Sequence, residues 1–204
     1  MWRTALLAGL GVCLALGTAH PARADDDGQR RSKFAMSYGQ EARGDILGAI
    51  RSIEGLGEDD YLVQLRLGWL HYRLEAFKTS ADFYAKAARL APEAVEPLLG
   101  MMLPLQAAGF VGTAIQAGNS VLELDPGNYT ALSRLASIHY SRKDYGQAAS
   151  LYGRLTRLYP TDTEMLLGLG WSLKLRGDKA EAAVIFRRVL VLGPDNPRAL
   201  AGLR

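Results

Sequence analysis

Apolar residues along this chain recur with helical spacing, and the spacing itself repeats every 34 residues. With Pro92, Pro126, Pro160 and Pro194 set at position 32 of a 34-residue frame, the units are 61–94, 95–128, 129–162 and 163–196. Position 7 is then Leu67, Met101, Leu135 and Leu169, and position 20 is Ser80, Ala114, Ala148 and Ala182. Position 24 is Tyr84, Gly118, Tyr152 and Phe186, and position 27 is Ala87, Val121, Leu155 and Val189. Apolar positions 4, 7, 8 and 11, followed by 20, 24 and 27, put one stripe on each of two successive helices. Small residues at positions 8 and 20 let those helices approach closely. Lys143-Asp144 and Gly177-Asp178 break the chain between them, with aspartate placed to cap the second helix. Units of this kind bury a core only by stacking on their neighbours.

The frame extends at both ends. An earlier unit over 30–60 carries Met36, Gly44-Asp45, Ala49, Ile53 and Leu56 but lacks its proline and three residues. Residues 197–204 begin a further unit, with Leu200 and Leu203 at positions 4 and 7, and are expected to cap the last repeat. The third unit departs most. Pro104 falls inside its first helix, where the ring clashes with the carbonyl of Gly100. Gly118 stands at the aromatic position, and Met101-Met102 fill the tight spot. These departures read either as a hinge or partner pocket, or as drift in a repeat that its neighbours hold in place.

The pattern resembles the tetratricopeptide repeat, W-x2-L-G-x2-Y followed by A-x3-F and P. Leu135-Ala136, Ala148, Tyr152 and Pro160 match it, as do Leu169-Gly170, Ala182, Phe186 and Pro194. The resemblance implies an all-α, right-handed α-solenoid of five units. It also implies a concave groove lined by positions 2, 5, 9 and 12 of the first helices. Position 5 supplies Phe34, Leu65, Leu99, Ser133 and Leu167; position 9 supplies Tyr38, Trp69, Leu103, Ser137 and Trp171; position 12 supplies Glu41, Tyr72, Gln106, Tyr140 and Lys174. Arg66 and Arg134 share the neighbouring position 6. The partner-binding set is therefore Phe34, Tyr38, Leu65, Arg66, Trp69, Tyr72, Leu99, Leu103, Arg134, Tyr140, Leu167 and Trp171. Aromatic and arginine side chains are those that binding hot spots favour. The asparagine and lysine with which some family members hold a C-terminal carboxylate are replaced here by Trp or Leu, which argues against that ligand.

Composition changes the picture at the N-terminus. Met1-Trp2-Arg3, the apolar run Ala5–Gly17 and the small-x-small triplet Ala22-Arg23-Ala24 form the three regions of a secretory signal peptide, residues 1–24. A short segment, 25–29, would precede the repeats. The apolar run is shorter than the roughly 20 residues that span a bilayer. The chain's net charge of +3 falls to +1 once Arg3 and Arg23 are removed, so no basic block is left for nucleic acid or an anionic membrane. The only cysteine, Cys13, lies in the signal and lacks the small residue expected before a lipidated cysteine. The mature chain has no thiol for a disulfide, a metal or catalysis.

Little else carries chemistry. His71 and His139 occupy position 11 two units apart, so they cannot share a metal and read as packed core histidines. Gly168-Leu169-Gly170 lacks the third glycine of a nucleotide fingerprint. Asn128-Tyr129-Thr130 is a glycosylation sequon with meaning only in a eukaryotic secretory pathway. The expectation is an exported, periplasmic or secreted scaffold with no cofactor, no metal, no nucleic-acid partner and no enzymatic activity, which binds a protein or peptide segment. The alternative is an accessory subunit of a polysaccharide-export or cell-wall assembly complex, with a groove that touches glycan.

Overall fold

The computed structural model describes the backbone of residues 21–204 and side chains from Asp27 onward. The expected signal peptide lies outside the described residues but for the backbone of its last four. Among the described residues every regular element is helical. A long helix α1 (Pro21–Ala42) is followed by a short α2 (Ile46–Arg51) and a 3-10 turn (Glu54–Leu56). Four pairs then follow: α3 (Tyr61–Arg73) with α4 (Phe77–Leu90), α5 (Val95–Ala107) with α6 (Val111–Leu124), α7 (Tyr129–Ser141) with α8 (Tyr145–Leu158), and α9 (Thr163–Arg176) with α10 (Lys179–Leu192). A last short helix, α11 (Pro197–Gly202), packs on α9 and α10. Each helix packs on the next in sequence, which makes the architecture an α-solenoid. No described helix is long and apolar enough to cross a membrane.

Every pair occupies the same positions of the 34-residue frame, because the same local devices recur. Asp60, Asn128, Asp162 and Asn196 precede first helices, and their side chains accept hydrogen bonds from first-turn amides. Asp144 likewise accepts from the Gln147 amide at 3.3 Å. Asp178, expected to cap α10, makes no such bond, because its carboxylate is engaged by Arg176. Position 15, between the helices, is left-handed throughout: Gly44, Glu75, Gly109, Lys143 and Gly177 have φ of 82°, 58°, 84°, 63° and 111°. The third repeat is the least supported locally. Its N-caps, Ala94 and Phe110, make no side-chain bond, and the chain from Pro97 to Leu122 carries no charge. The helix α5 nonetheless continues through Pro104, whose carbonyl accepts from the Ala108 amide at 2.9 Å.

Positions 20 and 27 are the closed centre of each repeat. Ser80, Ala114 and Ala148, and Ala87, Val121, Leu155 and Val189, are all wholly buried. Position 24 is wedged between glycine-bearing helix faces. A Cβ added to Gly68 or Gly100 would come within 2.9 or 2.3 Å of the Tyr84 ring, and one on Gly168 within 2.6 Å of Tyr152. Phe186 is held the same way between Gly170 and Gly202, at 2.7 and 2.4 Å. So α11 closes the array through Ala199 and Gly202, while Leu200 and Leu203, expected to cover it, point outward. Where position 24 is not aromatic, at Ile53 and Gly118, position 6 of the next repeat is Arg66 or Arg134 rather than glycine.

The first unit departs from its expected pattern. Met36, at the inward position 7, is 55% exposed, whereas Ser37 at the small position 8 is buried like its counterparts in the other repeats. At this point the Arg66 guanidinium reaches inward and donates to the Ser37 hydroxyl at 3.3 Å.

Candidate groove on the concave face

The first helices α1, α3, α5, α7 and α9 set two cavities along one face of the array. The first, about 390 Å³, is lined by Phe34, Tyr38, Leu65, Arg66 and Trp69, together with Leu62, Tyr84, Glu96 and Gly100. The second, about 620 Å³, is lined by Tyr140, Leu167 and Trp171, with Tyr152, Met165, Gly168, Glu164, Arg198, Pro197 and Ala201. Eight of the twelve residues expected to form the groove thus fall into these two cavities. Leu99, Leu103 and Arg134 lie on α5 and α7 between them, and Tyr72 packs beside Trp69 with ring centroids 6.0 Å apart. Not all are equally available. Leu167 is 1% exposed and forms a floor, whereas Trp69 is 38% exposed.

Tyr84 and Tyr152 line the cavities although they belong to second helices. They reach the concave side because glycines at Gly100 and Gly168 leave the next helix without a side chain in their path. The in-frame glycines at position 6 are the signal in the sequence that marks this. Burial pushes the Tyr84 phenol up to about 12, opposed by the Arg134 charge nearby.

Around the first cavity the polar groups are tied together. Glu41 accepts from Trp69 Nε1 at 2.6 Å and from Arg73 at 2.9 Å, and pairs with Arg66 Nη1 at 2.5 Å. Burial alone would raise the Glu41 carboxyl. The hydrogen bonds from Trp69 and Arg66, with the charges of Arg66 and Arg73, bring it below its usual value. The Arg66 guanidinium also lies 4.0 Å from the Tyr38 ring centroid. Glu41 therefore couples the first two repeats, a role that position 12 alone did not disclose. In the second cavity Trp171 meets Phe186 edge-on at 5.4 Å, with Lys174 Nζ 5.3 Å from its centroid. Arg198 and Glu164 pair across the mouth.

The histidines stand apart from this surface. His71 stacks on Phe83 at 4.9 Å, and burial lowers its affinity for a proton. His139 Nδ1 is 2.9 Å from Asp144. Among the described residues no group of three or more His, Cys, Asp or Glu side chains is placed to hold a metal ion.

A tetratricopeptide repeat profile matches residues 105–162 and 133–197, in register with the helix pairs described above. The chain belongs to the tetratricopeptide repeat family. Solved tetratricopeptide repeat structures share the architecture. MamA superposes with a TM-score of 0.74 at 16% identity, covering 82% of this chain and 93% of that one. A tetratricopeptide repeat protein from Parabacteroides merdae gives 0.74 at 18% identity, with 86% and 71% covered. YrrB, described as having an unusual peptide-binding site, gives 0.70 at 14% identity, with 88% and 95% covered. At these identities the likeness is one of fold. In sequence, the chain is 32% identical over 130 residues to a CTR9 homolog of Arabidopsis thaliana, covering 63% of this chain and 12% of that protein. It is 29% identical over 119 residues to a putative cytochrome c-type biogenesis protein CcmH of Haemophilus influenzae, covering 57% and 26%. The matched segments are about a quarter or less of the lengths of these relatives.

Proposed function

We propose that this tetratricopeptide repeat protein is an exported, non-enzymatic scaffold that holds an extended segment of a partner protein in its concave groove. The observation that carries the reading is the pair of cavities, each built around a tryptophan at the same repeat position, Trp69 and Trp171. Two aromatic-lined cavities on one face fit a chain with two spaced apolar anchors. Export, to the periplasm in a Gram-negative source, rests on the pattern of residues 1–24. The likeness to a bacterial protein named for cytochrome c-type biogenesis is in keeping with a scaffold that serves an assembly task. A peptide suits the groove better than a glycan. Arg73 and Lys174 already lie over faces of Trp69 and Trp171 on which a sugar ring would stack.

The test is a pull-down from the native source with wild type and with Trp69→Ala/Trp171→Ala, after circular dichroism shows the variant folded. Truncating either hot-spot ring is expected to weaken binding about thirtyfold, roughly 2 kcal/mol. A folded double variant that keeps every partner places the binding surface elsewhere.

A further inference from the structure

Arg66 and Arg134 occupy the same position of their repeats, yet their surroundings differ in one decisive respect. Arg66 has a carboxylate partner, Glu41, at position 12 of the preceding repeat. The corresponding residue for Arg134 is Gln106, which is neutral and exposed. Among the described residues Arg134 has no ion pair at all. Its polar contact is a single one, Nη1 donating to the Leu99 carbonyl at 2.5 Å. It is only partly exposed, and burial works against its charge, with Tyr72 and Tyr84 as the neighbours that partly offset this. A guanidinium offers five donors in a fork suited to a carboxylate. Most of that capacity is unused here.

Its place on the groove gives the vacancy a use. Arg134 is flanked on one side by Tyr84, which lines the first cavity, and its own helix α7 carries Tyr140 to the second. The wider field has the matching sign. Residues 129–204 hold 12 Lys+Arg against 6 Asp+Glu, whereas residues 25–128 hold 10 against 15. Acidic segments are therefore drawn toward this half of the array.

We propose that Arg134 is the charge-reading residue of the groove, which pairs with an aspartate or glutamate of the bound segment between its two apolar anchors. The proposal rests on the groove reading above and adds the chemistry of the partner. The missing internal carboxylate at Gln106 is what leaves Arg134 free for an external one.

The experiment is selection of a random linear peptide library on the folded protein, followed by affinities of the selected peptides and of twins in which each Asp or Glu is replaced by Asn or Gln. Wild type is expected to select peptides with an acidic residue between apolar ones, and to bind them at least about tenfold tighter than their amide twins. Arg134→Met should bring that ratio to about one. Gln106→Glu, which supplies Arg134 with the partner that Arg66 has, should lower the ratio as well while leaving the core untouched. Selected peptides that lack acids, or a ratio unchanged in both variants, would overturn the assignment. If such peptides still depend on Trp69 and Trp171, the groove reading survives and only the charge-reading role falls. If no peptide is selected, or the tryptophans prove irrelevant, both fall.

Discussion

Replacing Gly100 by alanine adds one methyl group where the Tyr84 ring passes closest to α5. The new carbon would stand 2.3 Å from Cε1 and 2.6 Å from Cζ, against a favourable separation of about 3.5–4.0 Å between carbons. The ring cannot swing away, because its other face lies on Gly68 of α3, where an added Cβ would itself sit 2.9 Å off. Helix α5 must therefore move from α4 by more than about 1 Å, which typically costs about 1–3 kcal/mol in overpacking. Alanine returns up to about 1 kcal/mol of helix propensity. The net expectation is a loss of about 1–2 kcal/mol. Gly153→Ala is the control: it is also within a helix, its nearest neighbour is 3.7 Å away, and it should gain about 0.5–1 kcal/mol. For a chain of this size the two should melt roughly 4–8 °C apart, as followed by far-ultraviolet circular dichroism. In a Tyr84→Leu background the Gly100→Ala penalty should shrink by more than about 1 kcal/mol, which identifies the ring as the cause. Equal melting of Gly100→Ala and Gly153→Ala would refute the wedge.

Two further expectations concern the loops and the first polar cluster. Glu75 and Lys143 adopt the left-handed conformation that glycine supplies at Gly44, Gly109 and Gly177, so Glu75→Gly and Lys143→Gly should each stabilise by about 0.5–1 kcal/mol in urea unfolding; no gain at either site would show that the strain is relieved elsewhere. Glu41 is held below its usual value of 4.5 in the folded chain. Its contribution is thus fully present above that value and is lost as the pH falls through the lower folded one. Glu41→Gln should flatten the acid limb of the stability curve and, by leaving the nearly buried Arg66 unpaired, cost about 3 kcal/mol at neutral pH. An acid limb identical to wild type would put the coupling of the first two repeats on other groups.

The architecture was legible in the sequence because each repeat states it again. Proline at 32, a small residue at 20 and an apolar one at 27 all depend on local geometry that every unit shares, and the helix pairs fall on the same frame positions. The first unit was harder to read. Met36 is exposed at an inward position there while a guanidinium reaches in to the buried Ser37, and that contact depends on Arg66 some thirty residues away. The rings of Tyr84 and Tyr152 escaped the groove assignment for a similar reason. Their access is set by glycines of the following repeat, so a rule confined to first helices cannot find them. The aspartate expected to cap α10 shows the opposite case, in which a local signal lost to a nearby arginine.

The proline that marks the period also serves as an acceptor. Arg154 and Arg188, both at position 26, donate to the carbonyls of Pro126 and Pro160 in the repeat before their own, at 2.7 and 2.6 Å. Each such bond ties the outer helix of one unit to the final turn of its predecessor. At the second-to-third junction the equivalent residue is Ser120, whose short side chain lacks the reach of arginine toward Pro92. In a linear array where each unit touches only its neighbours, bending stiffness is a property of individual joints. Such bonds tie the last three repeats to one another, whereas the joint ahead of them is held by the Tyr84 ring wedged against Gly100. A substitution that loosens Tyr84 therefore frees a joint that has no arginine bond of this kind to fall back on.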